Sequence, residues 1–531
     1  MALQFGLSTH VIQNLDFSSM KAAAQFFQIC SPYTKKQVDA RKDKSNALEQ
    51  ATRKLVGVML GEMCEEDETL TKMWFPACEE AVQALYHIHP CPDTVLGTVI
   101  SSMYAAFAIP KNKENKEKPN LANSELESAD VVDGTDTDTE SPRILCSNSR
   151  LARFMFVLGQ TALNSLVLSD RLGLKAKKYV IDAVKREAAA ASNDGTADPE
   201  EDAENTAAID AQHDNIHTYT TEHAMVIDSN NLLGKFHPIV ALVVANQGNN
   251  FSASVLRESA VLALCKFMSV SSVLCEKYLP LLFTALEQEE GEACRTTILI
   301  AFGDLMMRFP NSMEAWTAFM YARLSDDKVV VRYNALMVLT HLILNDMVKV
   351  KGQVAHVVMC LTDKDVRIRD LAHVLFTKLS ERSNNPVYNL LGDIIGIICR
   401  ENQSAVNSAT TQEAGAVEKA EKADAVEVIK VAALSADTMN YPKRMLSPRE
   451  FQETMHFLLS FVKKDKQADS MLERLLVRLS LAQSLRQRRS LAYCISELTV
   501  TEKGVKKMAD MIKGIKDALY GTYGRTDVEA R

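Results

Sequence analysis

Four segments with one shared pattern decide the fold: LRESAVLALCKF (residues 256–267), CRTTILIAFGDL (294–305), VRYNALMVLTHL (331–342) and IRDLAHVLFTKL (368–379). The second position of each is an arginine, and Arg257, Arg295, Arg332 and Arg369 are 38, 37 and 37 residues apart. Positions 1, 5, 8, 9 and 12 are always apolar, giving twenty apolar positions where a hydrophobic content of 47% predicts about nine. This spacing marks one face of an α-helix. Because one helix pair cannot bury its own apolar face, the recurrence predicts an all-α HEAT-repeat α-solenoid, an armadillo-like superhelix.

The composition favours a helical, soluble protein. The 531 residues include only 20 glycines and 14 prolines, and the net charge of −8 gives no bulk indication of nucleic-acid binding. Eleven cysteines without a C-x-x-C pair predict buried free thiols in a reducing compartment. The first residues lack the pattern of a signal peptide, and no run of 18 apolar residues predicts a membrane span. We therefore expect a soluble, intracellular chain.

Shifts in composition divide the chain into eight regions. Charged, weakly hydrophobic stretches predict disordered or low-complexity segments between the helical parts. The regions are N-terminal helical repeats at 1–108, a disordered acidic loop at 109–143, a helical repeat at 144–184, a low-complexity, partly helical loop at 185–222, core repeats at 223–400, a low-complexity linker at 401–446, C-terminal helical repeats at 447–522 and a tail at 523–531.

Each core repeat is predicted to contain a first helix, a short turn and a second helix. The predicted first helices are Trp316–Leu324 and Gln353–Leu361, and the second helices are Val329–Leu344 and Val366–Ser380. Ser, Thr and Asp in the intervening turns are suited to cap the second helices. In the N-terminal part, Lys72–Ile88 is predicted to hold one helix pair.

The series of four arginines has two interpretations. In the structural one, each arginine pairs with an acidic group on the preceding turn, such as Asp326, Asp327 or Asp363, and joins neighbouring repeats. In the functional one, the arginines form a row of cations that bind phosphate. Their position one residue away from the packed face favours the structural interpretation.

Two further basic segments are candidate contacts for a partner or for DNA. The loop LNDMVKVKGQ (344–353) carries Lys349, Lys351 and Gly352 and is either a solvated turn or a contact loop for a protein or phosphate. The segment 443–489 has eleven Lys or Arg against five Asp or Glu, and it includes Arg486, Arg488 and Arg489. This segment could contact the backbone of duplex DNA or form a solvated helix face. Because few aromatic residues are interleaved, base stacking on single strands is not indicated.

Two Ser-Pro pairs are candidate sites of proline-directed phosphorylation. Ser141 follows an acidic tract, and Ser447 precedes the basic segment. Neither proline is followed two places later by a basic residue, so the motif is only a partial match.

Catalytic and metal-binding patterns are weak. His87, His89 and Cys91 could supply metal ligands, but zinc sites need four convergent groups, and no second pair is near. Phosphate-binding, metalloprotease, hydrolase and dinucleotide-binding motifs do not occur. We expect a protein that is not an enzyme and that uses no cofactor or metal.

Several strings, in order along the chain, resemble the condensin complex subunit 1 family, the non-SMC HEAT-repeat regulatory subunits of condensin. The resemblance covers nearly all of 251–399 and 447–520 and is fainter upstream. Its strings are SAVLALCKFMSVSSVLCEKYLPLLFTALE (259–287), GDLMMRFPNSMEAWTAFMYARLSD (303–326), VLTHLILNDMVKVKGQV (338–354), PVYNLLGDII (386–395), FVKKDKQADSMLERLLVRL (461–479) and RQRRSLAYCISELTVTEKGVKKM (486–508).

The resemblance implies a non-catalytic scaffold that corresponds to the C-terminal half of the family's chains. It implies binding to the kleisin subunit, an SMC ATPase head and DNA, and an indirect association with the second HEAT-repeat subunit, in mitotic chromosome condensation. The implied locations are the nucleus and mitotic chromosomes, with the cytoplasm as a further location in interphase. The alternative is another HEAT-repeat binding protein, such as a nuclear transport receptor or a cohesin-associated adaptor. Such a protein would share the 37-residue repeat but not these strings.

Overall fold

A computed structural model describes most of the chain and contains only helices, turns and irregular segments in the described part. The described residues are 17–25, 43–60, 68–108, 147–191, 199–225, 231–247, 249–288, 291–348, 353–383, 385–399, 445–482 and 484–510. They belong to two compact units, Met1–Ala285 and Leu286–Arg531.

The first unit is built around one long helix. Its labelled helices are α1 (Asp43–Leu60), α2 (Glu68–Ile88), α3 (Pro92–Ala108), α4 (Asn148–Ala191), α5 (Pro199–Tyr219), α6 (Leu232–Ala245), α7 (Ser254–Met268) and α8 (Ser272–Gln288), whose last residues belong to the second unit. A π-helix, Thr220–Ala224, follows α5. Helices α2, α3, α5, α6 and α7 all pack against α4.

Residues 151–162 of α4 are buried on every side of the helix, since both their polar and their apolar side chains are buried. Gly159 allows α7 to approach closely, since a Cβ there would lie 2.8 Å from the Cα of Ala263. By length and composition alone, Asn148–Arg186 could cross a membrane, but 72% of its most apolar window is buried inside the protein. This is the burial expected of a core helix.

The second unit stacks its helices in two layers. Its helices are α9 (Glu292–Arg308), α10 (Pro310–Met313), α11 (Thr317–Ala322), α12 (Val329–Leu344), α13 (Val354–Met359), α14 (Val366–Ser380), α15 (Pro386–Ile398), α16 (Pro448–Leu459), α17 (Asp465–Leu481) and α18 (Leu485–Ser496). In one layer α12 packs between α9 and α14, and in the other α13 packs between α11 and α15. Helices α9, α12 and α14 begin 37 residues apart, as predicted from the sequence. In the other layer, α11 and α13 begin 37 residues apart, but α13 and α15 only 32.

The apolar frame of the four arginine segments is the packed face, as predicted. Nineteen of its twenty positions are buried, and only Ala301 is partly exposed. The predicted bounds of α12 and α14 are confirmed. The first helices are shorter than predicted, because α11 and α13 end in 3₁₀ turns. The prediction of a helix pair at Lys72–Ile88 is wrong, since this stretch lies in the single helix α2.

The structure describes the predicted low-complexity regions, loops and tail to different extents. Much of the low-complexity region 185–222 lies in the end of α4, in α5 and in the π-helix. The acidic loop 109–143, the tail 523–531 and nearly all of the linker 401–446 lie outside the described residues.

Candidate interaction surfaces

Arg332 shows most completely how the arginine series joins the repeats. Its Nε and Nη2 donate to the two carboxylate oxygens of Asp363 at 2.8 and 3.1 Å. Its Nη1 donates to the main-chain carbonyls of Asp326 and Asp327 at 2.9 and 3.2 Å. The hydrogen bonds to Asp363 raise the pKa of Arg332 above its ordinary value. One guanidinium thus connects the turn before its own helix to the turn of the following repeat.

Arg295 follows the same rule one repeat earlier. Its Nη2 donates to Asp326 Oδ1 at 3.1 Å, and the Asp326 side chain is only 4% exposed. Burial raises the pKa of Asp326, against the opposing effects of the Lys328 main-chain N–H and of two arginines, Arg295 and Arg323. The carboxylates therefore lie on the turn after each arginine, whereas the sequence analysis expected the preceding turn. The second helices of consecutive repeats pack side by side. The arginine at the start of one second helix therefore lies beside the turn that precedes the next one.

The two other arginines of the series contact main-chain carbonyls. Arg257 donates from Nη1 to Val243 and Val244 at the end of α6, at 2.8 and 2.9 Å. Arg369 donates from Nη1 to the carbonyls of Asp363 and Lys364, at 2.6 and 3.1 Å. Within the described residues, no carboxylate pairs with Arg369.

Arg488 belongs structurally to the arginine series and not to an exposed basic patch. Its Nε donates to the carbonyl of Ala482, six residues earlier, at 3.0 Å. Arg332 and Arg369 contact the carbonyls of Asp326 and Asp363 with the same six-residue separation. The sequence analysis missed this role because the apolar frame around Arg488 begins with a polar residue, glutamine. The turn at Ala482 also lacks an aspartate.

Arg486 and Arg489 lie near the predicted phosphorylation site Ser447. Arg486 Nη2 donates to the carbonyl of Leu446 at 2.5 Å, and both arginines line a cleft of about 380 Å³ at the start of α16 and α18. Ser447 is exposed, and its hydroxyl accepts from the N–H of Glu450 at 3.3 Å in a reciprocal capping box. Phosphorylation of Ser447 stays a prediction.

A different group of basic residues in this segment is exposed and unpaired in the described part of the chain. Lys463, Lys464 and Lys466, at the turn from α16 to α17, are exposed, and within the described residues none of them forms an ion pair. The Phe461 carbonyl in this turn accepts a hydrogen bond from Asn385 Nδ2 at 3.0 Å.

Hydrogen bonds line up three turns that each join the second helix of one repeat to the first helix of the next. Arg382, in the turn before α15, donates to Asp346 Oδ1 at 2.5 Å and to the Leu344 carbonyl, both at the end of α12. Asn385, in the same turn, contacts Phe461. We call the turns at 345–348 and 460–464, the described residues of the turn at 381–385, and Lys466 at the start of α17 the lysine edge of the second unit. The turns that precede α12, α14 and α18 are called the aspartate edge.

Several predicted site residues lie outside the described residues. They are Lys349, Lys351, Gly352 and Ser141. In the sequence, the first three directly follow the described turn at 345–348 of the lysine edge.

The candidate metal ligands do not form a cluster. His89 Nδ1 accepts from the main-chain N–H of Cys91 at 3.1 Å, and His87 Nδ1 lies 2.8 Å from the Gln83 carbonyl. In the described part of the chain, no three His, Cys, Asp or Glu residues are placed to hold a metal ion. Seven of the eight described cysteines are buried, and burial raises the pKa of Cys360 to about 12.

The sequence comparisons agree on one family. The profile of the family described as non-SMC mitotic condensation complex subunit 1 matches residues 293–496. Condensin-1 complex subunit CAP-D2 of Arabidopsis thaliana is 30% identical over 505 residues, which cover 90% of this chain and 30% of the relative. Condensin complex subunit 1 is 31% identical over 456 residues in Mus musculus (84% of this chain, 28% of the relative) and 26% over 469 residues in Saccharomyces cerevisiae (87% and 34%).

Among solved structures, the S. pombe condensin Cnd3-Cnd2 subcomplex is 8% identical at a TM-score of 0.35, covering 94% of this chain and 60% of that chain.

The repeating helices and their buried frame define an armadillo/HEAT-type helical-repeat protein. The chain belongs to the condensin complex subunit 1 family. It spans about 30% of the length of the curated relatives it matches, which is less than the half expected from the sequence.

Proposed function

We propose that this chain is part of a non-catalytic regulatory subunit of condensin that binds the kleisin subunit, contacts an SMC ATPase head and holds DNA during chromosome condensation. Membership of the family supports assembly into the complex. Stacked helical repeats suit such a role, because they present extended surfaces formed by many turns. The proposed location is the nucleus, on mitotic chromosomes.

The proposed DNA contact lies at the lysine edge. Hydrogen bonds bring the turn with Lys463, Lys464 and Lys466 into line with the turn that Lys349 and Lys351 follow in the sequence. Exposed lysines without carboxylate partners are available to neutralise backbone phosphates. Arg486 and Arg488 contribute less to this contact, since both donate to main-chain carbonyls.

DNA binding by the lysine edge can be tested with a charge-reversal variant, Lys463→Glu/Lys464→Glu/Lys466→Glu. We expect weaker binding to duplex DNA in fluorescence anisotropy and a shallower dependence of affinity on salt, because about three phosphate contacts are lost. Lys506→Glu/Lys507→Glu is a control, since both lysines already pair with glutamates. An unchanged affinity and salt slope in the triple variant would contradict the assignment.

Assembly can be tested by copurification with the kleisin subunit and the SMC heads of the same organism. The wild-type chain should retain the kleisin. Lys349→Glu/Lys351→Glu should leave the helical circular-dichroism signal unchanged and weaken retention of the complex or of DNA. If a folded wild-type chain retains no kleisin, the condensin role is wrong for this chain, and another HEAT-repeat binding role becomes the better explanation.

A further inference from the structure

The last arginine of the four-membered series lacks the carboxylate that the two before it receive. Asp326 follows Arg295, and Asp363 follows Arg332, with the same separation of 31 in the sequence. The residue at the corresponding place after Arg369 is another arginine, Arg400. Only the Nη1 group of Arg369 is hydrogen-bonded within the described residues, to two main-chain carbonyls. Within the described residues, the donor positions Nε and Nη2 of Arg369 therefore have no hydrogen-bond partner.

Arg369 lines a polar cleft of about 430 Å³ between α14 and α16. Arg369 and His373 line it from α14, and Thr454 and Phe457 line it from α16. His373 packs edge-on against Phe457, with ring centroids 4.3 Å apart. Burial lowers the pKa of His373 below its ordinary value. A neutral His373 thus leaves Arg369 as the positive charge of this wall.

Thr454 provides a second group that lacks a partner. The residue is 3% exposed, and its buried Oγ1 atom has no hydrogen-bond partner in the part of the chain that the structure describes. A threonine inside a helix ordinarily donates to a main-chain carbonyl one turn earlier. A buried hydroxyl without a partner is unfavourable, so such groups are rare in folded proteins. A ligand atom that accepts from both Thr454 and Arg369 would remove this deficit.

Three carboxylates also line the cleft, and each already has a donor. Asp363 accepts from Arg332, Glu450 accepts from the Ser447 N–H at 2.8 Å, and Glu453 accepts from Arg449 at 3.0 Å. Their charges disfavour a dianion such as phosphate but leave Arg369 able to bind a single negative charge.

We propose that this cleft binds one aspartate or glutamate side chain from an acidic segment of a partner protein. The bound carboxylate accepts hydrogen bonds from Arg369 and Thr454 and occupies the position that Asp326 and Asp363 hold beside Arg295 and Arg332. This inference rests on the proposed role in complex assembly, because that role supplies a partner protein.

Overlapping 20-residue peptides that cover the kleisin subunit are suitable probes. Their binding to the whole chain can be measured by fluorescence anisotropy. We expect Arg369→Gln to weaken the tightest acidic peptide about tenfold or more, and Thr454→Val to weaken it by a smaller factor, through loss of charge-assisted hydrogen bonds. Arg367→Gln is the matched control, because Arg367 lies on the same helix, is exposed, and pairs with Asp365 outside the cleft.

A peptide with the contact acid changed to its amide should also bind wild type more weakly. In Arg369→Gln, the same change should have little further effect, as expected for a double-mutant cycle across one contact. Circular dichroism shows whether Arg369→Gln remains folded, and Thr454→Val keeps the test valid if it does not.

Three results would overturn the proposal. The first is equal affinity of all peptides for wild type, Arg369→Gln and Thr454→Val. The second is competition by inorganic phosphate at millimolar concentration. The third concerns Glu401, the acidic residue that follows Arg400 in the sequence. A non-additive loss of stability when Glu401→Gln is combined with Arg369→Gln would show that this chain fills its own cleft. If the full-length kleisin copurifies with the wild-type chain while no peptide depends on Arg369, only this inference fails. If the kleisin does not copurify, the proposed function fails as well.

Discussion

The aspartate edge and the lysine edge of the second unit use charge in opposite ways. At the aspartate edge, Asp326 and Asp363 are 4% and 12% exposed and pair with arginines of the preceding repeat. At the lysine edge, the lysines at 463, 464 and 466 extend into solvent. Buried, paired charges contribute to the stability of the stack, while exposed, unpaired charges remain available to a partner. Substitutions at the two edges should therefore affect different measurements.

The largest effect on stability is expected at the aspartate edge. Asp363→Ala should lower the free energy of unfolding by about 3 kcal/mol, because it leaves the largely buried Arg332 without its carboxylate. Urea denaturation of the whole chain measures this loss. Glu381→Ala, which removes an exposed partner of Lys378 at the lysine edge, should change stability by less than about 0.5 kcal/mol. Equal losses in the two variants would remove the distinction between the edges.

A smaller loss is expected where the aspartate edge has no aspartate. Arg488→Ala should lower the free energy of unfolding by about 1 kcal/mol, since Arg488 contacts a carbonyl and no carboxylate at its turn. The same denaturation experiment measures it. A loss as large as that of Asp363→Ala would mean that pairing with a carboxylate adds little to the stability that these arginines contribute.

The comparison of paired and unpaired charges extends to His237, a buried basic residue of the first unit. Within the described residues, His237 forms no ion pair with a carboxylate. Burial, assisted by Lys277, lowers the pKa of His237 from 6.5 to about 4, and its Nδ1 lies 2.8 Å from the Tyr278 hydroxyl. The imidazole of His237 binds a proton more tightly in the unfolded chain than in the folded one. Stability that is present above pH 6.5 is therefore lost as the pH falls towards 4. In His237→Gln, unfolding midpoints between pH 4 and 6.5 should depend less on pH than in wild type. An identical pH dependence would contradict the lowered pKa.

The smallest effect on stability is expected at the lysine edge. The triple variant Lys463→Glu/Lys464→Glu/Lys466→Glu should change the free energy of unfolding by less than about 0.5 kcal/mol, because exposed side chains without partners contribute little. A loss above about 1 kcal/mol would show that these lysines are structural, and weaker DNA binding could then not be assigned to direct contact.

The sequence predicted the second helices well because their signals are local. The apolar frame and the turn before each helix fixed the bounds of α12 and α14. The first helices α11 and α13 were less predictable, since their ends form 3₁₀ turns that depend on packing. The prediction of a helix pair at Lys72–Ile88 was wrong because α2 continues through its internal Pro76, although proline removes one helical hydrogen bond.

The pairing of charges across repeats was only partly predictable. Whether Arg332 pairs with the turn before or after its helix depends on how consecutive repeats stack, and periodicity does not report this. A signal was nevertheless present, since an aspartate follows Arg295 and Arg332 at one and the same interval in the sequence. The role of Thr454 could not be predicted, because an unpaired hydroxyl is visible only in the packed structure.

Helices α15 and α16 pack against each other although α15 ends at Ile398 and α16 begins only at Pro448. The described residues on either side of 400–444 therefore lie in neighbouring helices. Because the entropy of closing a loop changes slowly with its length, this segment should tolerate an inserted reporter domain or a protease site. A chain cut there should remain joined through the contact between α15 and α16, which offers a route to site-specific labelling.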